Sequence, residues 1–291
     1  MSGEQPADGT GAATTKTAPL PRPPRTWRPM ALWSAGILLA LGLAWLIGAV
    51  VVPYLRVRVV VTSDEATLRQ YLVWEKSQSY ERRWLNSLGG PEKAADAIAV
   101  YVKFPDWIAP EKEVAIWLLG GCGRKAVPVL ANLLRSDQPN YRKHAARALG
   151  RIGPLAEDMI PELERIYENK SEETDMRRAA ARGLYGIGPG GRTILCRSLD
   201  SHDDLTRVLA ALMVADMRNG GVNLALAPLV EALDHKDPEI RGLASDGLWK
   251  LGRAAEKAAA KLRQMSEEDP DESVRRRAHN ALDEIEGNII Y

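Results

Sequence analysis

The stretch RKHAARALGRIG at residues 142–153 recurs as RRAAARGLYGIG at residues 177–188 and as RGLASDGLWKLG at residues 241–252. In each copy a small residue lies three positions after the initial arginine, large apolar residues lie seven and ten positions after it, and a glycine lies eleven positions after it. Offsets of three, seven and ten share one face of an α-helix, and a glycine that adopts a left-handed conformation commonly ends one. Each stretch therefore predicts an amphipathic helix that ends at its glycine.

The pattern recurs six times between residues 110 and 291, although a lysine begins the first copy and Arg218 and Glu286 take the place of the terminal glycine in two copies. Its copies begin at Lys112, Arg142, Arg177, Arg207, Arg241 and Arg275. Behind these first helices, a second helix is predicted near Pro128, Pro161 and Pro228. Repeats of 30 to 35 residues with two helices each predict an all-α fold, a stacked αα-superhelix of about six helix pairs.

These repeats resemble a known family. The strings HAARALGRIG, AAARGLYGIG and RGLASDGLWKLG, with Asp-Pro pairs at residues 237–238 and 269–270, resemble HEAT repeats, and more narrowly the short HEAT-like subtype also found in phycobilin lyases. The resemblance covers roughly residues 110–285. It implies a solenoid that serves mainly as a protein-interaction scaffold and only sometimes as an enzyme.

The resemblance also implies a role for the first arginine of each repeat. In HEAT repeats this arginine commonly pairs with an acid in the turn between repeats. Here Arg241 with Asp237, and Arg275 with Asp269 or Asp271, fit that role. The resemblance therefore favours a structural role for these arginines over ligand binding.

The segment before the repeats predicts a membrane anchor. Residues 1–29 are rich in proline and poor in apolar side chains, so they are expected to be a disordered tail. Met30–Val52 is an uncharged apolar run, and as a helix its residues would span roughly 34 Å, enough for a hydrocarbon core of about 30 Å. A transmembrane helix over residues 30–53 is predicted, followed by a linker and capping helices over residues 54–109.

The apolar run has two alternative interpretations. A buried helix of a soluble fold rarely stays apolar on every face for this length, and a signal peptide has a shorter core that ends in a small-residue cleavage site. Four basic residues precede the run and two follow it closely. Because cytoplasmic flanks carry the excess of Lys and Arg, this favours a single-pass membrane protein with a cytoplasmic N-terminus and the repeats on the opposite side.

The composition argues against several function classes. The net charge of +1 argues against a bulk nucleic-acid binder, and two cysteines cannot build a disulfide framework or a zinc ribbon. The glycine-rich stretch at residues 186–191 follows a predicted helix, whereas a phosphate-binding loop requires a preceding strand. No catalytic triad, carboxylate pair or P-loop is recognisable, so no catalytic residue, metal or cofactor is predicted.

The surface of the second helices remains as the candidate site. Positions three, four and seven after each proline should point away from the core and line the concave face. Five of the charged residues at these positions are the candidate partner-binding residues: Glu164, Arg165, Glu168, Arg197 and Glu231. The sequence thus predicts a membrane-anchored scaffold that binds a protein partner through this face. The alternatives are a phycobilin-lyase-like enzyme or cofactor chaperone that uses the same face, and a structural spacer.

Overall fold

The computed structural model describes residues 78–104, 112–217 and 220–287, together with residues 43, 44, 46, 50–52, 55 and 57. The chain divides into two compact parts, Met1–Gly48 and Ala49–Tyr291. In the first part the described residues are 43, 44 and 46, which are helical. The predicted tail over residues 1–29 lies outside the described residues.

Thirteen α-helices and no strand occur within residues 78–287 as described. Two helices precede the repeats: α1 (Gln78–Ser87) and α2 (Pro91–Tyr101). The first helices of the repeats are α3 (Lys112–Leu119), α5 (Pro139–Ile152), α7 (Thr174–Ile187), α9 (Asp204–Val214), α11 (Pro238–Leu251) and α13 (Glu272–Glu286). The second helices are α4 (Val127–Leu134), α6 (Ile160–Glu168), α8 (Pro189–Arg197), α10 (Gly221–Ala232) and α12 (Ala259–Glu268). The all-α solenoid predicted from the sequence is confirmed.

The helices form two layers. Each first helix packs on the first helix of the next repeat, and each second helix packs against the first helix that follows it. The small residue of the sequence pattern is completely buried in every copy: Ala115, Ala145, Ala180, Ala210, Ala244 and Ala278. A methyl side chain at this position lets neighbouring helices approach closely, and the buried apolar residues join into one continuous core.

Glycines bring α5 and α7 into backbone contact. A Cβ atom added to Gly186 would lie 2.5 Å from the carbonyl oxygen of Gly150, and one added to Gly183 would lie 2.7 Å from the carbonyl oxygen of Ala146. Both distances are far below ordinary van der Waals contact. The two helices can therefore pack at this distance only because these positions carry no side chain.

The glycines at the end of the pattern behave as predicted. Gly153 follows α5 with a φ of 75°, and Gly188 follows α7 with a φ of 117°. Side chains disfavour such values, and glycine adopts them without steric cost. These glycines end the first helix and let the chain reverse towards the second.

One second helix begins earlier than the sequence predicts. Pro228 was expected near the start of its helix, but it lies inside α10, which begins at Gly221. This repeat has Arg218 in place of the terminal glycine. Instead, Gly220 has a φ of 83° directly before α10. The glycine that makes the turn therefore lies two residues after the position at which the other repeats have theirs, and α10 begins immediately after it.

The predicted single-pass membrane localisation is wrong. Among the described residues no helix is long and apolar enough to cross a membrane. The longest helix of the repeats, α13, has 15 residues and carries charges over much of its length, whereas a span needs about 20 consecutive apolar residues. Most of Met30–Val52, to which the prediction referred, lies outside the described residues.

Candidate interaction surfaces

The five predicted partner-binding residues lie on three second helices. Glu164, Arg165 and Glu168 belong to α6, Arg197 ends α8, and Glu231 lies on α10. The guanidinium of Arg197 forms an ion pair with Glu164, and its Nη2 lies 4.0 Å from a carboxylate oxygen of Glu168. The structure therefore brings three of the five residues together across neighbouring repeats. We call all five the second-helix row.

The remaining two members of the row differ in their surroundings. Arg165 donates a 2.9 Å hydrogen bond to Glu162, and Arg135 approaches the same carboxylate to 3.7 Å. The hydrogen bond from Arg165 lowers the pKa of Glu162. Glu231 is exposed and forms no ion pair with any residue that the structure describes. Charge along the row is therefore balanced locally on α6 and α8 and unbalanced at Glu231.

Three of the arginines that begin the repeats, Arg142, Arg177 and Arg241, form bridges to the following repeat. Arg142 donates to Glu172, with a distance of 3.1 Å from Nη1, and Arg241 donates from Nε and Nη2 to Asp269, both at 2.8 Å. Arg241 also donates to the carbonyl of His235 at 2.9 Å. Each of these side chains thus connects the segment just before its own helix to the turn just before the first helix of the following repeat.

The partners predicted for Arg241 and Arg275 are corrected by this geometry. Asp237 accepts a hydrogen bond from the amide of Glu239 at the start of α11, and Asp271 caps α13 in the same way. A carboxylate used as a helix cap is turned towards the backbone amides. Arg241 therefore reaches Asp269 of the next repeat, and Arg275 donates to the backbone carbonyl of Asp269 at 2.7 Å.

The most buried bridge is that of Arg177, whose exposed fraction is 3%. It donates to Asp203 at 2.6 Å, to the hydroxyl of Thr206 at 2.5 Å and to the carbonyl of Tyr167 at 2.9 Å. Burial acts to raise the pKa of Asp203, but the hydrogen bonds from Arg177 and Thr206 outweigh it, so the pKa is lowered. Because its donors are satisfied within the fold, Arg177 is a structural residue.

A basic patch on the first helices was not predicted from the sequence. We define it as Lys143 and Arg147 of α5 with Arg178 and Arg182 of α7. The carboxylate of Asp175 forms ion pairs with two of these cations, at 2.9 Å from Arg178 and 4.0 Å from Lys143. The cations occupy equivalent positions in two copies of the repeat. Alignment of these two copies therefore places basic residues at the same positions of neighbouring helices, which would have indicated the patch.

A cavity of about 370 Å³ lies between α11 and α13. Its lining consists of Asp246, Trp249, Arg277, Asn280 and Asp283. Arg277 lies 3.4 Å from Asp246, and burial raises the pKa of Asp246, while the charges of Arg277 and Arg178 oppose the rise. Trp249 is 46% exposed, which is unusual for a side chain of this size and hydrophobicity.

One histidine and one cysteine make contacts that stabilise the fold. His235 lies 3.2 Å from Asp204 of the preceding repeat, and Cys122 is buried with its thiol 3.5 Å from the Leu118 carbonyl. Within the described ranges, no three His, Cys, Asp or Glu side chains converge as metal ligands would.

Comparison with known proteins gives a family match over more than half of the chain. The HEAT repeats family matches residues 105–185 and 192–283. An Hsp70 nucleotide exchange factor, FES1 of Coccidioides immitis (strain RS), is 29% identical over 158 residues, which are 50% of this chain and 67% of that protein.

Two solved structures show similar but distant folds. An engineered protein is 24% identical and has a TM-score of 0.38, with 68% of this chain and 90% of that chain covered. Human deoxyhypusine hydroxylase in complex with glycerol is 20% identical and has a TM-score of 0.33, with 76% and 96% covered.

Proposed function

The chain belongs to the HEAT repeat family, and on that basis we propose that it is a non-catalytic scaffold that binds a protein partner. The observation that carries this proposal is the continuous array of helix pairs, which presents one charged row across several repeats. Solenoids use such extended surfaces for binding because each repeat adds contacts to those of its neighbour. The name of the Coccidioides relative, an Hsp70 nucleotide exchange factor, makes an Hsp70-type chaperone the first partner to test.

The second-helix row is the proposed binding surface. Its ion pairs are exposed, since Arg197 and Glu168 keep more than half of their side-chain surface accessible. Exposed pairs contribute only about 0–1 kcal/mol each, so a partner can replace them with pairs of its own at small cost. Glu231 offers a carboxylate that is already unpaired among the described residues, and it therefore favours a partner with a basic group at that point.

In-cell crosslinking followed by capture of the full chain tests the proposal. The test variant carries Glu164→Lys, Glu168→Lys and Glu231→Lys, which inverts the charge of the row. The matched control carries Glu157→Lys, Glu173→Lys and Glu256→Lys, because these acids are exposed, lie outside the row and make the same change in net charge. Circular dichroism and urea unfolding establish that both variants are folded.

The expected result is one defined partner captured with the natural chain and with the control, and lost with the test variant. Purified Hsp70 is assayed directly by the same comparison. Equal capture with both variants would place binding on another surface, and the absence of any specific partner would contradict the scaffold function itself.

A small-molecule-binding function is the second candidate. The cavity between α11 and α13 favours it, because polar groups converge there beside an exposed indole. This location differs from the concave second-helix face that the phycobilin-lyase-like alternative would use. Thermal stabilisation of the natural chain by a library compound, absent in an Asp246→Asn and Trp249→Phe variant, would support this candidate, and equal stabilisation of both would contradict it.

A further inference from the structure

The basic patch on α5 and α7 lies where the two helices are in backbone contact. Gly150 and Gly186 allow this approach, and beside it the half-buried Arg147 and the exposed Arg182 occupy equivalent positions of their repeats. Helices that approach closely also bring their outer side chains together. Four cations therefore share a small area of the first-helix surface, and the carboxylate of Asp175 lies within 4.0 Å of two of them, Lys143 and Arg178.

The cations of the patch are incompletely compensated. The Nε atom of Arg147 is buried and has no hydrogen-bond partner. Burial lowers the pKa of Arg147, and the charges of Arg182 and Arg178 lower it further. Arg182 is exposed and forms no ion pair within the described part of the chain. Like charges held together in this way oppose folding, in contrast to the satisfied bridges of Arg177 and Arg241.

A repeat protein gains no stability from such an arrangement. Places where local electrostatics conflict with the fold are commonly functional sites. We propose that the basic patch binds an acidic segment of a partner protein, whose carboxylates pair with Arg147 and Arg182. Guanidinium groups suit this ligand because they bind carboxylates with two parallel hydrogen bonds. The patch lies on the first helices, so it is a second site, separate from the second-helix row.

The surroundings of the patch favour a protein segment over a nucleic acid. Nucleic acids present a long series of phosphates and require positive charge along their whole path. Here the cations are confined to two helices. Asp175 lies among them, Glu113 lies 3.5 Å from His144 on one side, and Asp246 on the other side is close enough to be influenced by the charge of Arg178. A short acidic segment fits this limited area.

Fluorescence anisotropy with the full chain tests the proposal. The probe is a short glutamate-rich peptide labelled with fluorescein, and the control peptide carries glutamine at every glutamate. The patch variant is Arg147→Gln with Arg182→Gln. The matched variant, Arg253→Gln with Arg276→Gln, makes the same charge change at exposed positions outside both the patch and the second-helix row.

The natural chain and the matched variant are expected to bind the glutamate peptide alike, with an affinity that falls as salt is added. The patch variant is expected to bind about tenfold more weakly, which corresponds to about 1.4 kcal/mol. Its resistance to urea should be unchanged or increased, because repulsion between cations is removed, so weaker binding cannot be ascribed to unfolding.

Two results would overturn the proposal. One is equal binding of the glutamate peptide by the natural chain and the patch variant. The other is tighter, patch-dependent binding of a single-stranded RNA oligonucleotide than of the peptide, which would assign the patch to nucleic acid. Either result leaves the capture experiment on the second-helix row unaffected, so the two proposals can fail independently.

Discussion

Replacement of Gly186 by alanine tests whether backbone contact between α5 and α7 supports the array. The added Cβ would lie 2.5 Å from the carbonyl oxygen of Gly150 and 2.7 Å and 2.8 Å from its carbonyl carbon and Cα. All three are backbone atoms, which cannot rotate away. Restoring ordinary contact requires the helices to separate by about 1 Å, and a gap of that size forfeits up to about half of the dispersion energy of each contact along the interface.

The expected net effect follows from two opposing contributions. Alanine is favoured over glycine inside a helix by about 1 kcal/mol. Overpacking of a close contact costs about 1–3 kcal/mol, and the separation of α5 from α7 adds lost contacts. We therefore expect Gly186→Ala to lower the free energy of unfolding by about 1–2 kcal/mol, and to lower the melting temperature by about 2–8 °C for a folded region of this size.

Gly242→Ala provides the matched control. This glycine also lies inside a first helix and is buried, but the atoms nearest to an added Cβ are the end of the Arg277 side chain, at 2.9 Å and beyond. A flexible side chain can move, so helix propensity should dominate and stability should stay the same or rise. Urea unfolding followed by circular dichroism measures both variants. If Gly186→Ala unfolds at the same or a higher urea concentration than Gly242→Ala, backbone contact does not constrain this interface.

Three further predictions concern stability. Arg241→Met should lower the free energy of unfolding at neutral pH by about 2–4 kcal/mol, because it leaves the buried carboxylate of Asp269 without its partner; urea unfolding measures this loss. The hydrogen bonds from Arg241 lower the pKa of Asp269 in the folded protein, so the stability they provide is present above the unfolded pKa of about 4 and is lost as the pH falls through the folded value. The difference between Arg241→Met and the natural chain should therefore narrow below about pH 4, and a constant difference in a pH series would contradict the assigned pair. Tyr167→Phe should cost about 1–2 kcal/mol in urea, because it removes a buried 2.7 Å hydrogen bond to the carbonyl of Thr206, and an unchanged midpoint would show that this bond contributes nothing. Glu164→Gln should change stability by less than about 1 kcal/mol, because it affects one exposed pair, and a larger loss by the same measurement would mark the row as structural.

The helical repeats were predictable because they depend on local periodicity. The small residue three positions after the start of each repeat marked the inward face of the first helix, and the six alanines found there are completely buried. The terminal glycines predicted helix ends at Gly153 and Gly188, which adopt positive φ values. Such features depend on residues within one repeat, and one sequence contains several copies against which each can be checked.

Contacts between repeats were less predictable. Asp237 and Asp269 are both acids before a first helix, yet one caps its own helix and the other receives Arg241 from the preceding repeat. The choice depends on distances between turns, which the sequence pattern does not contain. The pairing of Arg197 with Glu164 and the crowding of Arg147 with Arg182 depend on the same distances.

The two helical layers differ in mechanical compliance. The first helices α5 and α7 meet through alanine methyl groups and bare backbone, as at Gly150 and Gly186, and such contacts have no rotatable bonds with which to adjust. Second helices of neighbouring repeats are connected by long side chains, as in the pair of Glu164 and Arg197, and these tolerate changes in length. The spacing between α5 and α7 is therefore fixed, whereas the second helices beside them, α6 and α8, can move apart or together. A ligand that bridges neighbouring second helices would consequently change the local curvature of the array. Conversely, a force that bends the array would change the affinity of the array for that ligand.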